Sequence, residues 1–278
     1  MRVFSDPVVM QNWSLEQRVA GHVIGLVPTM GYLHQGHISL IKTLRDDCDI
    51  LVVSIFVNPT QFGPHEDFGR YPRDTEGDLE ICEKHGVDAV FIPDVDAMYA
   101  DDASVYVQEN ALSRDLCGAS RPGHFTGVCT VVAKLFNIVM PHQAVFGQKD
   151  FQQAAVIIRM VRDLNFAVEV KVAPIVRDKD GLALSSRNIY LNDDERQRAL
   201  ALPQALELAH QEFFAGESSA SVLKRLVIEK LENNDLKIDY VEIVDSSNLA
   251  SVKDVEMGDV ILAAAYCGKT RLIDNCIL

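Results

Sequence analysis

The first half of the chain alternates short apolar runs with segments of helical periodicity, and this alternation restricts the fold more than any other feature. Residues 23–27 and 50–57 are apolar runs of strand length, and the second run is apolar on both faces. A strand with two apolar faces lies inside a parallel sheet that helices cover on both sides. The pattern therefore predicts βαβ units in an α/β fold, with residues 50–57 as a central strand.

Further elements follow the same alternation up to about residue 174. Helical patterns are predicted from Gly36 to about 46, from the N-cap candidate Asp74 to the C′ candidate Gly86, over 126–140 and from about Asp150. Strands are predicted over 88–93, 144–147 and 166–172.

The pattern changes beyond Pro174. Two amphipathic helices, near 193–214 and 219–232, precede strands near 239–244 and 259–266. The sequence therefore predicts a Rossmann-like N-terminal domain, residues 1–174, and a smaller α+β C-terminal domain, residues 175–278.

Charge and apolar content exclude several classes of protein. The 278 residues include 26 Lys and Arg against 40 Asp and Glu, a formal net charge of −14, so no basic surface for nucleic acid or anionic lipid is expected. The N-terminus has no apolar signal core, and no apolar run is long enough to span a membrane, which predicts a cytoplasmic protein. The six cysteines are scattered without a C-x-x-C pair, which favours reduced thiols over a structural zinc site.

The most informative segment is residues 28–37, which read Pro-Thr-Met-Gly-Tyr-Leu-His-Gln-Gly-His. A glycine-containing turn between a first strand and a first helix lies at the carboxyl edge of the sheet, where α/β folds bind ligands. Helix-start N–H groups favour phosphate, and Gly36 lets the backbone approach it. A single histidine here could simply decorate a turn, but His34 and His37 in an H-x-G-H pattern favour a phosphate-binding function.

This segment resembles the nucleotide-binding signature of the pantothenate synthetase family, within the H-x-G-H nucleotidyltransferases. The resemblance extends in order through blocks that span nearly the whole chain: 57–62, 70–73, 119–125, 146–153, 180–188 and 270–275. It implies ATP-dependent joining of pantoate to β-alanine through a pantoyl adenylate, giving pantothenate, AMP and pyrophosphate. The chemistry needs no covalent enzyme nucleophile, so catalysis is expected from positioning and from stabilising phosphate charge.

The resemblance assigns His34, His37 and Lys149 to catalysis, with His37 usually described as the proton donor in this family. It implies ATP contacts in four places: the first signature, within residues 28–37; residues 147–150, between a predicted strand and a predicted helix; the backbone of Val176; and the second signature, residues 184–187, a mobile segment in these transferases. The residues are Met30, Gly31, Tyr32, Leu33, His34, Gln35, Gly36, His37, Gly147, Gln148, Lys149, Asp150, Val176, Leu184, Ser185, Ser186 and Arg187. Gln148 departs from the family, which usually has glutamate there.

Each block has a functional interpretation and a purely structural alternative. Gln61 follows the central strand and its amide suits a substrate with hydroxyls and a carboxylate, although without the resemblance a surface turn would be the better explanation. Lys149 can bring a compact cation to phosphate or carboxylate, whereas an isolated lysine is usually solvated. Ser185 and Arg187 suit a triphosphate but also fit a helix cap and loop. By resemblance, Gln61 and Gln153 bind pantoate and β-alanine.

Metal and partner expectations follow from ATP and from the resemblance. Mg²⁺ is expected to accompany ATP through phosphate oxygens and waters, with Asp78 as a weak ligand candidate. Arg121 fits either an anionic substrate or a structural salt bridge. A homodimer is expected from the family. The site is predicted to be a small cationic cleft of His34, His37, Lys149, Arg187 and Arg121 on an acidic protein.

Three rival hypotheses remain at this point. A non-catalytic nucleotide sensor would need fewer groups than the separate glutamine, lysine and serine/arginine blocks supply. Another nucleotidyltransferase would prefer a phosphorylated acceptor to pantoate. A class I aminoacyl-tRNA synthetase also has H-x-G-H, but this chain is short and has no basic face for tRNA.

Overall fold

The computed structural model describes residues 1–278 and contains two β-sheets. The strands are β1 (Arg2–Phe4), β2 (Ile24–Thr29), β3 (Ile50–Ile55), β4 (Ala89–Phe91), β5 (Gln143–Gly147), β6 (Glu169–Ala173), β7 (Lys237–Val244), β8 (Val260–Cys267) and β9 (Thr270–Ile277). The α-helices are α1 (Pro7–Val19), α2 (Gln35–Arg45), α3 (Thr75–Lys84), α4 (Val95–Met98), α5 (Cys117–Ser120), α6 (His124–Val139), α7 (Phe151–Asp163), α8 (Asp193–Ala199), α9 (Ala201–Phe214) and α10 (Ala220–Glu232). None of the helices is both long and apolar enough to cross a bilayer.

The larger sheet has six parallel strands in the order β1-β4-β3-β2-β5-β6, and the smaller sheet has three antiparallel strands in the order β7-β8-β9. The predicted fold class, a parallel α/β sheet followed by a smaller α+β region, is confirmed. The prediction for residues 50–57 is also confirmed, because β3 pairs with β2 on one side and β4 on the other.

Several elements differ from the prediction. β1, α1, the short helices α4 and α5, and β9 were not predicted, and the predicted helix over 193–214 is two helices, α8 and α9, that meet at Leu200. Pro203 explains this break because it has no N–H to donate to the carbonyl of Ala199, and its ring conflicts with that carbonyl. The predicted caps of α3 are present: Asp74 accepts from the N–H of Gly77, and Gly86 has a φ of +71°.

Apolar side chains form a core on each face of the large sheet and a third in the C-terminal region. The first core packs α1, α6 and α7 on one face, and the second packs α2 and α3 on the other. The third lies between α9, α10 and the small sheet. The first core also includes Val260 and Leu262 of β8, so the small sheet packs against this core.

The strand order reverses between β2 and β5. From β2 the sheet continues through β3 to β4, whereas β5 lies on the other side of β2 and continues to β6. In open α/β sheets, ligands bind where the order reverses, beyond the carboxyl ends of the two strands. The fold therefore places a binding site between the loops that follow Thr29 and Gly147.

Candidate active site

The loop after β2 is held in a sharp turn by one buried carboxylate. Gly31 and Tyr32 have φ angles of +81° and +52°, and Asp78 accepts from the N–H of Tyr32 at 2.8 Å and of Leu33 at 2.6 Å. A Cβ on Gly31 would lie 2.9 Å from Asp78 Oδ2 and from Ile55, so this position requires glycine. Asp78 is 2% exposed, and burial raises the pKa of its carboxyl although both N–H groups favour the ionised form. These contacts favour a role in shaping the turn over the predicted role as a magnesium ligand.

The two histidines cap the start of α2 reciprocally. His34 Nδ1 accepts from the N–H of Gly36 at 3.1 Å, and His37 Nδ1 accepts from the N–H of His34 at 3.2 Å. An Nδ1 that accepts a backbone N–H carries no proton, so in each neutral ring the proton is on Nε2. The helix start therefore fixes both histidines in the tautomer whose Nε2–H can donate to a ligand.

Both histidines are neutral near pH 7. Burial, then the charge of Lys149, lowers the pKa of His34 from 6.5 to about 4. Burial, then His34 and Lys149, lowers the pKa of His37 to about 3. The sequence left their charge state open; the structure gives two uncharged N–H donors.

Lys149 lies across the switch point, on the 3₁₀ turn (Gln148–Asp150) between β5 and α7. Its side chain is 19% exposed, and the nearest carboxylate oxygen, on Asp150, is 3.7 Å away. No protein group accepts a hydrogen bond from the ammonium. A mostly buried lysine with only a weak ion pair, beside two neutral histidines, has its charge available to bind an anion.

Gln61 lies at the carboxyl edge of β3, as its position in the sequence predicts. It is buried, its Oε1 accepts from Asn58 Nδ2 at 3.1 Å, and its Nε2 lies 3.3 Å from the sulfur of Met30. Its backbone is held by His124, whose Nδ1–H donates to the Gln61 carbonyl at 2.9 Å while Nε2 accepts from Arg121 at 3.0 Å. The surface-turn alternative does not fit these contacts.

Close packing under this turn depends on one glycine. A Cβ on Gly127 of α6 would overlap the backbone carbonyl of Thr60. The helix therefore approaches the 3₁₀ turn (Pro59–Gln61) at backbone contact distance, and Asn58 Nδ2 also donates to the Gly127 carbonyl at 3.2 Å. α6 thus supports the position of Gln61.

The second signature folds as a hairpin that returns to the first. The N–H of Leu184 donates to the carbonyl of Val176 at 3.0 Å, and Ser185 Oγ accepts from the N–H of Arg187 at 3.3 Å. Ser186 Oγ donates to the carbonyl of Tyr32 at 3.4 Å. The structure therefore brings the two signatures into direct contact between residues 154 positions apart in the chain.

Arg187 is held by a carboxylate and two aromatic rings. Its Nε and Nη2 donate to the two oxygens of Asp67 at 2.8 Å each, and its guanidinium lies 5.4 Å from the ring centre of Tyr71 and 6.0 Å from that of Phe62. Burial alone would raise the pKa of Asp67, but the hydrogen bonds and charge of Arg187 lower it. Nη1 has no protein acceptor, so one edge of the guanidinium stays available to a ligand.

Arg121 forms the structural salt bridge that the sequence left open. Its Nε donates to Glu66 Oε1 at 2.7 Å, and its Nη2 donates to Oε2 of the same carboxylate and to the carbonyl of Gln61. These contacts favour support of the Gln61 turn over direct binding of substrate.

A cavity of about 220 Å³ opens at the switch point and brings most of the predicted residues together. It is lined by Met30, His34, Gly36, His37, Gln61, Gly147, Lys149, Asp150, Gln153, Val176, Leu184, Ser185, Ser186 and Arg187, with an apolar wall of Val128, Val131, Val132 and Leu135 from α6. A second cavity, of about 490 Å³, extends towards the small sheet and shares Lys149, Gln153 and Arg187 with the first. Five predicted ATP-binding residues line neither cavity: Gly31, Tyr32, Leu33, Gln35 and Gln148.

The family model described as pantoate-beta-alanine ligase matches residues 2–277. The chain belongs to the pantoate-beta-alanine ligase family. The resemblance seen in the motifs is thereby confirmed, and with it the prediction of an enzyme. The chain is 54% identical to the pantothenate synthetase of Thermotoga petrophila, over all of both chains.

Solved structures of other ligases of this family share the whole fold. A pantothenate synthetase from Thermus thermophilus matches with a TM-score of 0.94 and 43% identity, covering 100% of this chain and 99% of the other. A pantoate-beta-alanine ligase from Francisella tularensis, solved in complex with beta-gamma ATP and beta-alanine, matches with a TM-score of 0.82 and 32% identity, covering 100% and 97%.

Several residues that shape this cavity were not among the predicted site residues. Asn58, Asp67, Tyr71 and His124 each hold a predicted residue in place, and the apolar wall comes from α6. Asn58, Tyr71 and His124 lie in the blocks that carry the resemblance, which was the one available signal. Asp67 lies between blocks, and only its contact with Arg187 identifies it.

Proposed function

We propose that this chain joins pantoate to β-alanine at the switch-point cavity, with ATP as the activating substrate and pantoyl adenylate as the intermediate. A carboxylate oxygen of pantoate attacks the α-phosphorus, the bond to the bridging oxygen breaks, and pyrophosphate leaves. The amine of β-alanine then attacks the acyl carbon, AMP leaves, and the nitrogen loses a proton to solvent. The observation that carries this proposal is the convergence of His34, His37 and Lys149 on one cavity.

The three residues act on the phosphates by donating hydrogen bonds and charge. Nε2–H of His34 and His37 donate to the phosphate oxygens on which charge develops, and the Lys149 ammonium neutralises part of that charge. Because both rings are already held in the donating tautomer, they need no reorganisation when ATP binds. This assignment makes His37 a hydrogen-bond donor in the adenylation step, with its Nε2 proton available to the leaving oxygen.

The acceptor side of the cavity fits a small branched hydroxy acid. Gln61 and Gln153 supply amide donors and acceptors for the hydroxyls and carboxylate of pantoate, and β-alanine binds beside them. The valines and leucine of α6 pack against the methyl groups of pantoate. An apolar wall does not suit a phosphorylated acceptor, which weighs against the rival nucleotidyltransferase.

ATP is proposed to extend from the first signature to the second. The backbone at Val176 contacts the adenine, by analogy with the family, while Ser185, Ser186 and the free Nη1 of Arg187 bind the triphosphate. Mg²⁺ is proposed to arrive with ATP. No group of three or more His, Cys, Asp or Glu side chains could hold a metal ion, so the phosphate oxygens and waters would hold it, and no step is assigned to it.

Other proposals concern the whole protein. We propose a cytoplasmic homodimer that works on small molecules, without nucleic acid or membrane partners, and divides into units 1–174 and 175–278. Light scattering of the purified protein tests the dimer, and a stable, ATP-independent fold of residues 1–174 expressed alone tests the division.

Incubation of the purified protein with ATP, pantoate and β-alanine tests the reaction. We expect pantothenate and AMP in equal amounts, and pyrophosphate without β-alanine only up to one equivalent per site. Lys149→Ala should abolish most of this activity. Lys171→Ala is the control and should keep it, because Lys171 lies on the edge strand β6 and its ammonium donates to Asp47 at 2.7 Å. No pantothenate from the wild-type chain, or preference for a phosphorylated acceptor, would overturn the proposal.

A further inference from the structure

Asn275 of β9 reaches from the small sheet to the loop that carries Lys149. It is 2% exposed, and every polar atom of its side chain is used. Its Nδ2 donates to the carbonyl of Gln148 at 2.9 Å and to that of Lys149 at 3.1 Å, and its Oδ1 accepts from Gln148 Nε2 at 3.1 Å. No function has been assigned to Asn275 so far, although it closes the last block of the resemblance.

These contacts fix the backbone on both sides of one residue. The carbonyl of Gln148 belongs to the peptide plane before the Lys149 Cα, and the carbonyl of Lys149 belongs to the plane after it. Holding both planes from one amide group restricts φ and ψ of Lys149. The direction of its Cα–Cβ bond, and hence the region its ammonium can reach, is set from the small sheet.

The lysine has no other restraint of comparable strength. Its ammonium donates to no protein acceptor, and the single carboxylate nearby, on Asp150, is 3.7 Å away. A long flexible side chain without a hydrogen-bonded partner is positioned mainly by its backbone.

The residue before Asn275 holds the other ATP-binding segment. Asp274 accepts from Arg177 Nη1 at 2.6 Å and from Nη2 at 3.1 Å, and the carboxylate is almost completely buried. Arg177 lies in the hairpin that leads to the second signature and bridges to Ala183. The dipeptide Asp274-Asn275 therefore connects one strand to both segments.

We propose that Asn275 is a positioning residue for the catalytic lysine, and that through it the small sheet sets the place of Lys149 relative to the two histidines. The inference rests on the proposed function, since it assigns Asn275 an effect on adenylation. It deepens that proposal by giving the C-terminal region a part in the chemistry.

Asn275→Asp is the informative variant because it is nearly isosteric. It keeps an acceptor for Gln148 Nε2 but loses both donors and faces two carbonyls with a negative charge. Asn275→Ser keeps a single donor and should lose less activity. Asn234→Ala is the control: its Nδ2 also donates to a backbone carbonyl, of Lys230 at 2.8 Å, in the same region but away from the site.

Adenylation is measured as the single-turnover rate of pyrophosphate release with ATP and pantoate. Steady-state assays with β-alanine present give kcat and KM, and thermal unfolding checks that each variant is folded. Misplacing a catalytic group by about an ångström lowers a rate about 100-fold, so we expect a loss of that order in kcat for Asn275→Asp, with KM for pantoate changed less than about threefold. Asn275→Ser should fall between Asn275→Asp and wild type. Asn234→Ala should stay within about twofold of wild type.

Asn275→Asp in a Lys149→Ala background distinguishes positioning of the lysine from a general structural role of Asn275. If Asn275 acts through the lysine, Asn275→Asp should have little further effect in this background. The adenylation rate and the dissociation constant of a non-hydrolysable ATP analogue should each change less than about threefold. A further loss of about 100-fold in that background, or a wild-type rate for folded Asn275→Asp, would overturn the inference. Failure of the proposed function would show differently, as a wild-type chain that makes no pantothenate.

Discussion

His37 has two tasks that one substitution can separate. Its Nδ1 accepts from the N–H of His34 at 3.2 Å at the start of α2, while its Nε2–H faces the cavity as the proposed phosphate donor. Asparagine places an amide oxygen near the position of Nδ1 and no atom near that of Nε2. His37→Asn therefore keeps the contact at the helix start and removes the donor, whereas His37→Ala removes both.

The two variants should differ in stability but not in rate. Loss of one donor to charge that develops in the transition state lowers kcat about 100- to 1,000-fold, or about 3–4 kcal/mol, and both variants should show this loss. Because His37→Asn keeps the capping contact, its free energy of unfolding should change by less than about 1 kcal/mol. His37→Ala should lose about 1–3 kcal/mol, from the cap and from the emptied buried volume.

Steady-state pyrophosphate release with ATP, pantoate and β-alanine gives the rates, and urea unfolding at pH 7 gives the stabilities. His22→Asn is the control, because His22 contacts Gln17 near the end of α1, far from the cavity. Turnover by His37→Asn within about threefold of wild type would show that Nε2–H is not a donor in the rate-limiting transition state. Equal stability of His37→Ala and wild type would refute the capping role.

The remaining predictions concern a charge pair, a close contact and a titration. Asp67→Asn weakens the bidentate hold on Arg187 and should raise KM for ATP about tenfold in steady-state assays; an unchanged KM would show that the arginine is placed without it. Gly127→Ala overlaps the turn that carries Gln61, and should lower the free energy of unfolding by about 1–3 kcal/mol in urea. Gly69→Ala, where a Cβ meets nothing within 4 Å, should change it by less than about 0.5 kcal/mol; equal effects would contradict the packing argument. Because the pKa of His37 is about 3 folded and near 6.5 unfolded, the unfolded chain binds the proton first as pH falls. Wild type should therefore lose about 2 kcal/mol more stability than His37→Asn between pH 7 and pH 5, and parallel pH profiles would refute this.

Elements with a strong local signal could be predicted from the sequence, and weak ones could not. β3 was recognisable because six consecutive residues are buried or nearly so on both faces. β1 has only three residues and pairs with β4 at the sheet edge, so no periodicity can develop. α1 buries three residues, Met10, Trp13 and Ser14, and leaves several valines exposed, which makes its apolar face indistinct.

Site residues divide in the same way. His34, His37 and Gly36 could be found because the start of a helix brings their chemistry together within four residues. Asp67 could not, because it acts only by meeting Arg187, 120 residues further along. Pairing across such distances depends on the packing of loops, which leaves no local pattern in the chain.

The cationic cleft expected from the sequence is an array of N–H donors with little net charge. Both histidines are neutral, and the two arginines are paired with Glu66 and Asp67, which leaves Lys149 as the one weakly paired cation of the set. A strongly positive cleft would bind ATP, pyrophosphate and AMP tightly alike, and uniform binding does not accelerate the chemical step. Oriented neutral donors gain most when charge develops on the departing pyrophosphate, and hold the separated products less strongly. Glu66 and Asp67 therefore offset the charge of the two arginines, so that the positive charge of the site is concentrated at Lys149 and the neutral donors act mainly when pyrophosphate leaves.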